Sequence, residues 1–131
     1  IAVMAAAVAD YSPIEKAKEK IKKKEETLTI ELAKTKDILK SLGERKKSNQ
    51  VLVGFALETN NEREYALNKL KSKNADMIVL NSLQDAGAGF GKDTNKITIF
   101  DKSGKEFLFD TKTKTQVAKD IADTIISLYY A

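Results

Sequence analysis

The chain has 131 residues, 42% apolar and 32% charged, a composition that fits one folded domain, or part of one, around a single core rather than a disordered tract. It holds no cysteine and no histidine, which excludes disulfides, thiolate nucleophiles, Ser-His-Asp triads and Cys- or His-ligated metals from these residues. Only two of the 23 basic residues behind the net charge of +4 are arginine, and the lysines gather at 16–24 and at Lys69, Lys71 and Lys73, a pattern suited to a local anion more than to a broad polyanion surface.

Residues 1–9 are an unbroken apolar run, about half of the roughly 20 residues that span a bilayer, and they lack the basic leader of a signal peptide. The run predicts a buried parallel strand. A chain opening on its own core strand is expected to be the C-terminal part of something longer. Residues 9–13 read as a loop around the single proline, Pro13. Residues 14–26, charged and poorly periodic, read as a mobile segment. Period-two alternation over 28–32 predicts a half-exposed strand. Thr35 is the expected N-cap of a short helix carrying Ile38, Leu39 and Leu42 and ending near Gly43.

Residues 51–56 predict a central strand. Asn60 or Asn61 then caps a helix whose first turn holds Glu62 and Glu64, acids that suit a positive helix N-terminus. Lys69 and Lys73 fall late in that helix. After a short turn at 74–76, residues 77–80 predict a third buried strand, followed by a loop over 82–92 with Gly87, Gly89 and Gly91, a flexible loop or lid. Residues 97–100 and 107–109 flank a hairpin turn at 102–105. Val117, Ile121, Ala122, Ile125 and Leu128 mark a terminal amphipathic helix over 113–130. The order implies an α/β fold with a mostly parallel core.

Parallel α/β sheets place ligands outside the carboxyl ends of their strands, which directs attention to residues 7–10, 55–60 and 81–91. Small side chains at 5–9 let a ring or ribose approach the backbone, with Asp10 as an acceptor; a tightly packed strand ending in a turn-forming Asp explains them as well. Lys20, Lys22, Lys23 and Lys24 offer point charges suited to a di- or triphosphate, or a solvated basic face. Phe55 can stack on a base or fill the core. Lys69 and Lys73 share a helical face, where an anion between them relieves their repulsion. The Gly87-Ala88-Gly89-Phe90-Gly91 spacing is not the dinucleotide fingerprint.

Taken in order, the segments AAAVADY (5–11), KIKK (20–23), LTIEL (28–32), KDIL (36–39), VGFALETNN (53–61), the Lys69/Lys73 helix, DMIVLN (76–81) and GFGKDTN (89–95) resemble phosphopantothenoylcysteine synthetase. That is the C-terminal half of the bifunctional phosphopantothenoylcysteine decarboxylase/synthetase, a pantothenate-metabolism flavoprotein. The resemblance spans nearly the whole chain. It implies a Rossmann-like, mostly parallel sheet with flanking helices, a C-terminal hairpin and helix, and the first βα units of the domain missing from these residues. It also implies a cytoplasmic, CTP-dependent ligase of coenzyme A biosynthesis, phosphopantothenate–cysteine ligase. The 4′-phosphopantothenate carboxylate attacks the nucleotide α-phosphate to give an acyl-cytidylate and pyrophosphate, and the cysteine amine then displaces CMP.

Carried over position by position, the resemblance assigns nucleotide contacts to Met4, Ala5, Ala6 and Asp10, to Lys36, Asp37, Ile38 and Leu39, and to Phe55, Lys69 and Lys73. Lys20 takes the place of the lysine at the triphosphate and acyl-nucleotide, the catalytic position. Mg²⁺ is expected on the triphosphate, FMN only in an upstream decarboxylase domain. A homodimer is expected, with the strand at 28–32 as candidate contact, and neither nucleic acid nor membrane as partner. Two departures stand out. The family usually reads Asn-Pro-Asp-Ile where this chain reads Thr35-Lys36-Asp37-Ile38. Its glycine-rich first half, with Arg and Asn residues for the acyl intermediate, is absent, so a polypeptide limited to these residues is expected to bind nucleotide weakly without turnover. The competing reading is a basic α/β module that binds nucleic acid or another polyanion without catalysis; a third is a dimerisation domain with no ligand.

Overall fold

The structure is a computed structural model that describes residues 1–22, 26–82 and 92–131. Five strands form one sheet in the order β1-β4-β5-β7-β8. β1 (Ala2–Met4), β4 (Leu52–Glu58) and β5 (Met77–Ser82) run parallel; β7 (Ile97–Asp101) and β8 (Glu106–Leu108) extend the sheet antiparallel. Two small antiparallel ribbons sit outside it, β2 (Tyr11–Pro13) with β3 (Leu32–Lys34) and β6 (Thr94–Asn95) with β9 (Lys112–Thr113). The helices are α1 (Ile38–Arg45), α2 (Glu62–Ser72) and α3 (Lys114–Tyr129). The expected α/β architecture with a parallel core is present.

The alternation of β4 and β5 sorts the core into two layers. Val53, Met77, Val79, Ile97 and Ile99 face α3, which contributes Val117, Ile121 and Ile125. Ala56, Ile78, Leu80 and Phe100 face the opposite way and pack with Ala66 and Leu70 of α2. Thr113 starts α3 through a capping box, its hydroxyl accepting from the Gln116 amide while the Gln116 side chain accepts from the Thr113 amide. Gly104, at φ 89°, closes the hairpin turn, and the Asp101 carboxylate ties it by accepting from the Ser103 and Lys105 amides.

Several expectations need correction. β1 is not buried: it forms one edge of the sheet beside β4, and Val3 is 44% exposed. An apolar run identifies a strand but not how many neighbours cover it. Residues 11–13 are a short strand rather than loop, because their partner comes from 32–34, far along the chain. The expected strand at 28–32 begins only at Leu32. Asp37, not Thr35, is the N-cap of α1, and α1 runs through Gly43 to Arg45. The ribbon of β6 and β9 had no sequence signal, being two residues a side. Residues 14–22 hold no helix or strand and are exposed. The glycine-bearing loop of 83–91, together with Lys23 and Lys24, lies outside the described residues.

Candidate nucleotide-binding site

β1 stops early. Met4 is in register with Gly54, while β4 continues to Glu58, which leaves a step at the sheet's carboxyl edge. α1 lies against this step. A Cβ on Gly54 would stand 2.7 Å from Leu39 Cδ2 and 3.0 Å from Ile78 Cδ1, so the missing side chain is what lets Leu39 seat on β4. Met4 and the N-terminal turn of α1 therefore meet at one level of the sheet. Ala5 and Ala6 follow, exposed.

The chain leaves this point and returns through the β2–β3 ribbon. Its return is pinned by Thr35, whose amide donates to Asp10 O at 2.9 Å and whose hydroxyl donates to Ala9 O at 2.6 Å. Asp10 is thereby held beside the segment carrying Lys36, Asp37, Ile38 and Leu39. Thr35 thus joins the two strand-end segments instead of capping the helix, and Asp37 supplies the cap.

Asp37 Oδ1 accepts from the Lys40 amide at 2.8 Å, and Oδ2 accepts from Lys73 Nζ at 2.6 Å. The Lys73 hydrogen bond first, then the Lys40 amide, with the charges of Lys73 and Lys69 added, hold the Asp37 carboxyl below its ordinary value against the opposing effect of burial. Lys73 is positioned by a close contact between the helices. At Gly43 a Cβ would stand 1.8 Å from the Lys73 carbonyl oxygen, so only glycine admits the end of α2 here. Asn74, at φ 48°, turns the chain and donates from Nδ2 to Gly43 O at 2.8 Å.

The structure thus brings together Asp10, Lys36, Asp37, Ile38, Leu39, Lys69 and Lys73, with Met4, Ala5 and Ala6 at the neighbouring strand end. Three lysines, two aspartates, one of them the cap, and the amide end of a helix form a net positive, open cluster. An arriving phosphate can take Lys73 from Asp37, exchanging one charge-assisted hydrogen bond for another. Phe55 is not part of this cluster. Its ring lies on the other face of the sheet, partly buried against the α3-side core. Lys20 is exposed in an irregular segment, and nothing among the described residues ties it to the cluster.

Sequence reasoning passed over the strongest charge constellation of the domain. Asp76 is buried at the amino end of the strands, where its carboxylate accepts from Lys46 Nζ and Lys102 Nζ, both at 2.7 Å, and from the Leu52 amide at 2.8 Å. Burial pushes its pKa up, but the hydrogen bonds from Lys102, Lys46 and Leu52 outweigh that and hold it below the ordinary value. Asp76 was legible only as a turn residue, because its lysines lie 30 positions before it and 26 after it. Among the described residues, no group of three or more carboxylates is placed to hold a metal ion, and no helix is long and apolar enough to cross a membrane.

Comparison with known proteins agrees with this architecture. A "Cysteine/Cysteine sulfinic acid decarboxylase" from an unknown prokaryotic organism is 54% identical over 130 residues, covering 99% of this chain and 36% of that protein. The "Coenzyme A biosynthesis bifunctional protein CoaBC" of Bacillus subtilis (strain 168) is 46% identical over 128 residues, covering 98% of this chain and 31% of that protein. The chain spans about a third of the length of these curated relatives. The crystal structure of the C-terminal domain of a CoaBC protein superposes with a TM-score of 0.73 at 39% identity, covering 96% of this chain and 53% of that one. The DNA/pantothenate metabolism flavoprotein from Streptococcus pneumoniae shares the fold, with a TM-score of 0.66 at 21% identity over 92% of this chain and 60% of its own. The family described as "DNA/pantothenate metabolism flavoprotein C-terminal domain" matches residues 1–129, and this chain belongs to it.

Proposed function

We propose that the chain supplies the nucleotide-binding part of a CTP-dependent phosphopantothenate–cysteine ligase acting in coenzyme A biosynthesis. The observation that carries this reading is the Lys73–Asp37 pair, with Lys69 beside it, at the N-terminus of α1 where β1 ends. In the first step the 4′-phosphopantothenate carboxylate attacks the α-phosphorus of CTP and pyrophosphate leaves. In the second the cysteine amine attacks the acyl carbon, CMP leaves with the C–O bonding pair, and the amine proton is lost to solvent. Both steps depend on positioning and on neutralising phosphate charge, work that lysines and helix amides perform without His or Cys. Lys20 is the proposed catalytic cation, and Mg²⁺ is proposed to ride on the triphosphate, where it needs few protein ligands.

The polyanion-binding alternative fits less well. Lys46, Lys102, Lys112 and Lys119 are each paired with a carboxylate, which interrupts a continuous basic surface. A homodimer in the cytoplasm is proposed as the working form. Tyr11, Ile14, Leu28, Ile30 and Leu32 are exposed on and beside the β2–β3 ribbon, a set of apolar side chains that a second copy can cover. Ile30→Asp is expected to shift sedimentation to the monomer; an unchanged dimer removes this contact.

The ligase reading is tested by pyrophosphate release from the longest natural polypeptide that carries these residues. With 4′-phosphopantothenate and Mg²⁺, release is expected with CTP and to begin before cysteine is added. A folded polypeptide that releases none with CTP or ATP overturns the reading.

A further inference from the structure

The carboxyl end of the sheet holds a polar atom that no described residue satisfies. Asn81 lies near the end of β5, in register with Leu57 of β4 on one side and Ile97 of β7 on the other. Strand alternation puts its side chain on the α3-facing side, beyond Val79, which is itself paired with Phe55. Asn81 Oδ1 is buried, and among the described residues it has no hydrogen-bond partner. Leaving a buried carbonyl oxygen unpaired is unfavourable, whereas an apolar side chain of similar shape at this position carries no such penalty. Ile78, Val79 and Leu80, immediately before it, are all apolar and buried.

We infer that Asn81 is a ligand-reading residue, whose carboxamide oxygen accepts a hydrogen bond from a neutral N–H or O–H of the bound molecule. The inference rests on the nucleotide-binding reading above and adds a specificity residue to it. Position supports it, since ligands of parallel α/β sheets lie beyond the strands' carboxyl ends. Chemistry narrows the partner. A carbonyl oxygen repels phosphate oxygens, so Asn81 Oδ1 does not face the triphosphate; it suits the amine edge of a base or the amide and hydroxyls of the acyl substrate. Phe55 shares its face of the sheet, so the two residues form a neutral wall distinct from the charged wall of Asp37, Lys69 and Lys73.

The test uses Asn81→Leu in the longest natural polypeptide, with thermal unfolding followed without ligand and with Mg·CTP, Mg·UTP or 4′-phosphopantothenate. Without ligand, the variant is expected to melt at or above the wild-type temperature, because the unpaired acceptor is gone. Its affinity is expected to fall at least tenfold for the ligand that supplies the donor. If that donor is the cytosine amine, wild type prefers CTP to UTP and the variant loses the preference. If it is the acyl chain, the loss falls on 4′-phosphopantothenate and CTP affinity is retained. A variant that melts lower and binds both ligands as wild type does makes Asn81 a structural residue and overturns the proposal while the ligase reading stands. Wild-type protein that binds neither ligand overturns both. Asn81→Val, which suits a strand, serves if the leucine variant does not fold; failure of both to fold also contradicts the proposal, since a residue kept for a ligand is dispensable for folding.

Discussion

Asp76 sits between lysines drawn from two elements and Asp37 against two lysines at the end of one, α2, and α1 connects the two sites: its C-cap, Lys46, reaches Asp76, while its N-cap is Asp37 itself. The Asp76 side chain is 2% exposed and that of Asp37 44%. Around Asp76 the surroundings are saturated. Its carboxylate takes two lysines and the Leu52 amide, and its carbonyl accepts from the Lys102 amide and from Tyr129 Oη, both at 3.0 Å. Every group there is committed to another part of the fold, so the cluster fastens β4, β5, the hairpin and both α1 and α3 at one point. Around Asp37 it is the carboxylate that stays open: it takes one lysine and one amide, and Lys73, 25% exposed, keeps donor capacity for a second partner. The same residue types make a structural clasp when buried and a candidate ligand site when open. Burial and saturation, not composition, separate the two.

The sharpest way to break this contrast is Asp76→Ala. It strands Lys46 against a buried site and leaves the Leu52 amide unpaired, and a loss of about 3–5 kcal/mol is expected in chemical denaturation. A loss below about 1 kcal/mol would remove Asp76 from its role as clasp. Gly43→Ala comes next. Its Cβ must displace the Lys73 carbonyl, an overpacking cost on the order of 1–3 kcal/mol that also moves Lys73 away from Asp37, so nucleotide affinity should fall together with stability. Asp37→Ala is expected to cost about 1 kcal/mol, the usual value of an N-cap. Wild-type stability in that variant would mean that the capping bond to Lys40 contributes nothing.

Acid and alkali sharpen the comparison further. Both carboxyls are held below their ordinary range in the folded state, so their stabilisation is complete above the unfolded carboxylate pKa of about 4 and is lost as pH falls through the lower folded values. The buried clasp should account for more of that loss than the exposed pair. Tyr129 works in the other direction. Burial first, then the charges of Asp76 and Asp101, push its pKa up to about 12, so stability should decline as pH rises from about 10 toward that value. Denaturation midpoints of wild type and Tyr129→Phe across this range check the point: the variant's decline should be shallower.

Elements with strong local patterns were legible from the residues alone. The apolar runs of β4 and β5 and the period of α3 carry their burial in their own sequence, whereas α2 was marked by its flanking residues and charges, and Asn61, at its N-cap, makes no side-chain capping bond. What escaped depends on partners far away. Tyr11–Pro13 becomes a strand only because residues 32–34 return to it, and Asp76 becomes a clasp only because Lys46 and Lys102 converge on it. Thr35 and Asp37 both have N-cap chemistry, and the local sequence does not say that Ala9 and Asp10 will occupy the first of them. Gly43 looked like a stop signal, yet it is a point of helix contact, a distinction that requires knowing where the end of α2 lies. At the candidate site, spacing linked Lys69 to Lys73, while their meeting with Asp37 is a product of the fold.

The most direct test of the contrast is calorimetric titration of Mg·CTP into wild type and Lys73→Gln, each with its unfolding free energy measured alongside. Lys73→Gln is predicted to bind at least tenfold more weakly while unfolding within about 1 kcal/mol of wild type, as a partly exposed ion pair should. Unchanged affinity, or a stability loss as large as that of Asp76→Ala, would contradict it and make the Asp37 cluster a second clasp rather than a ligand site.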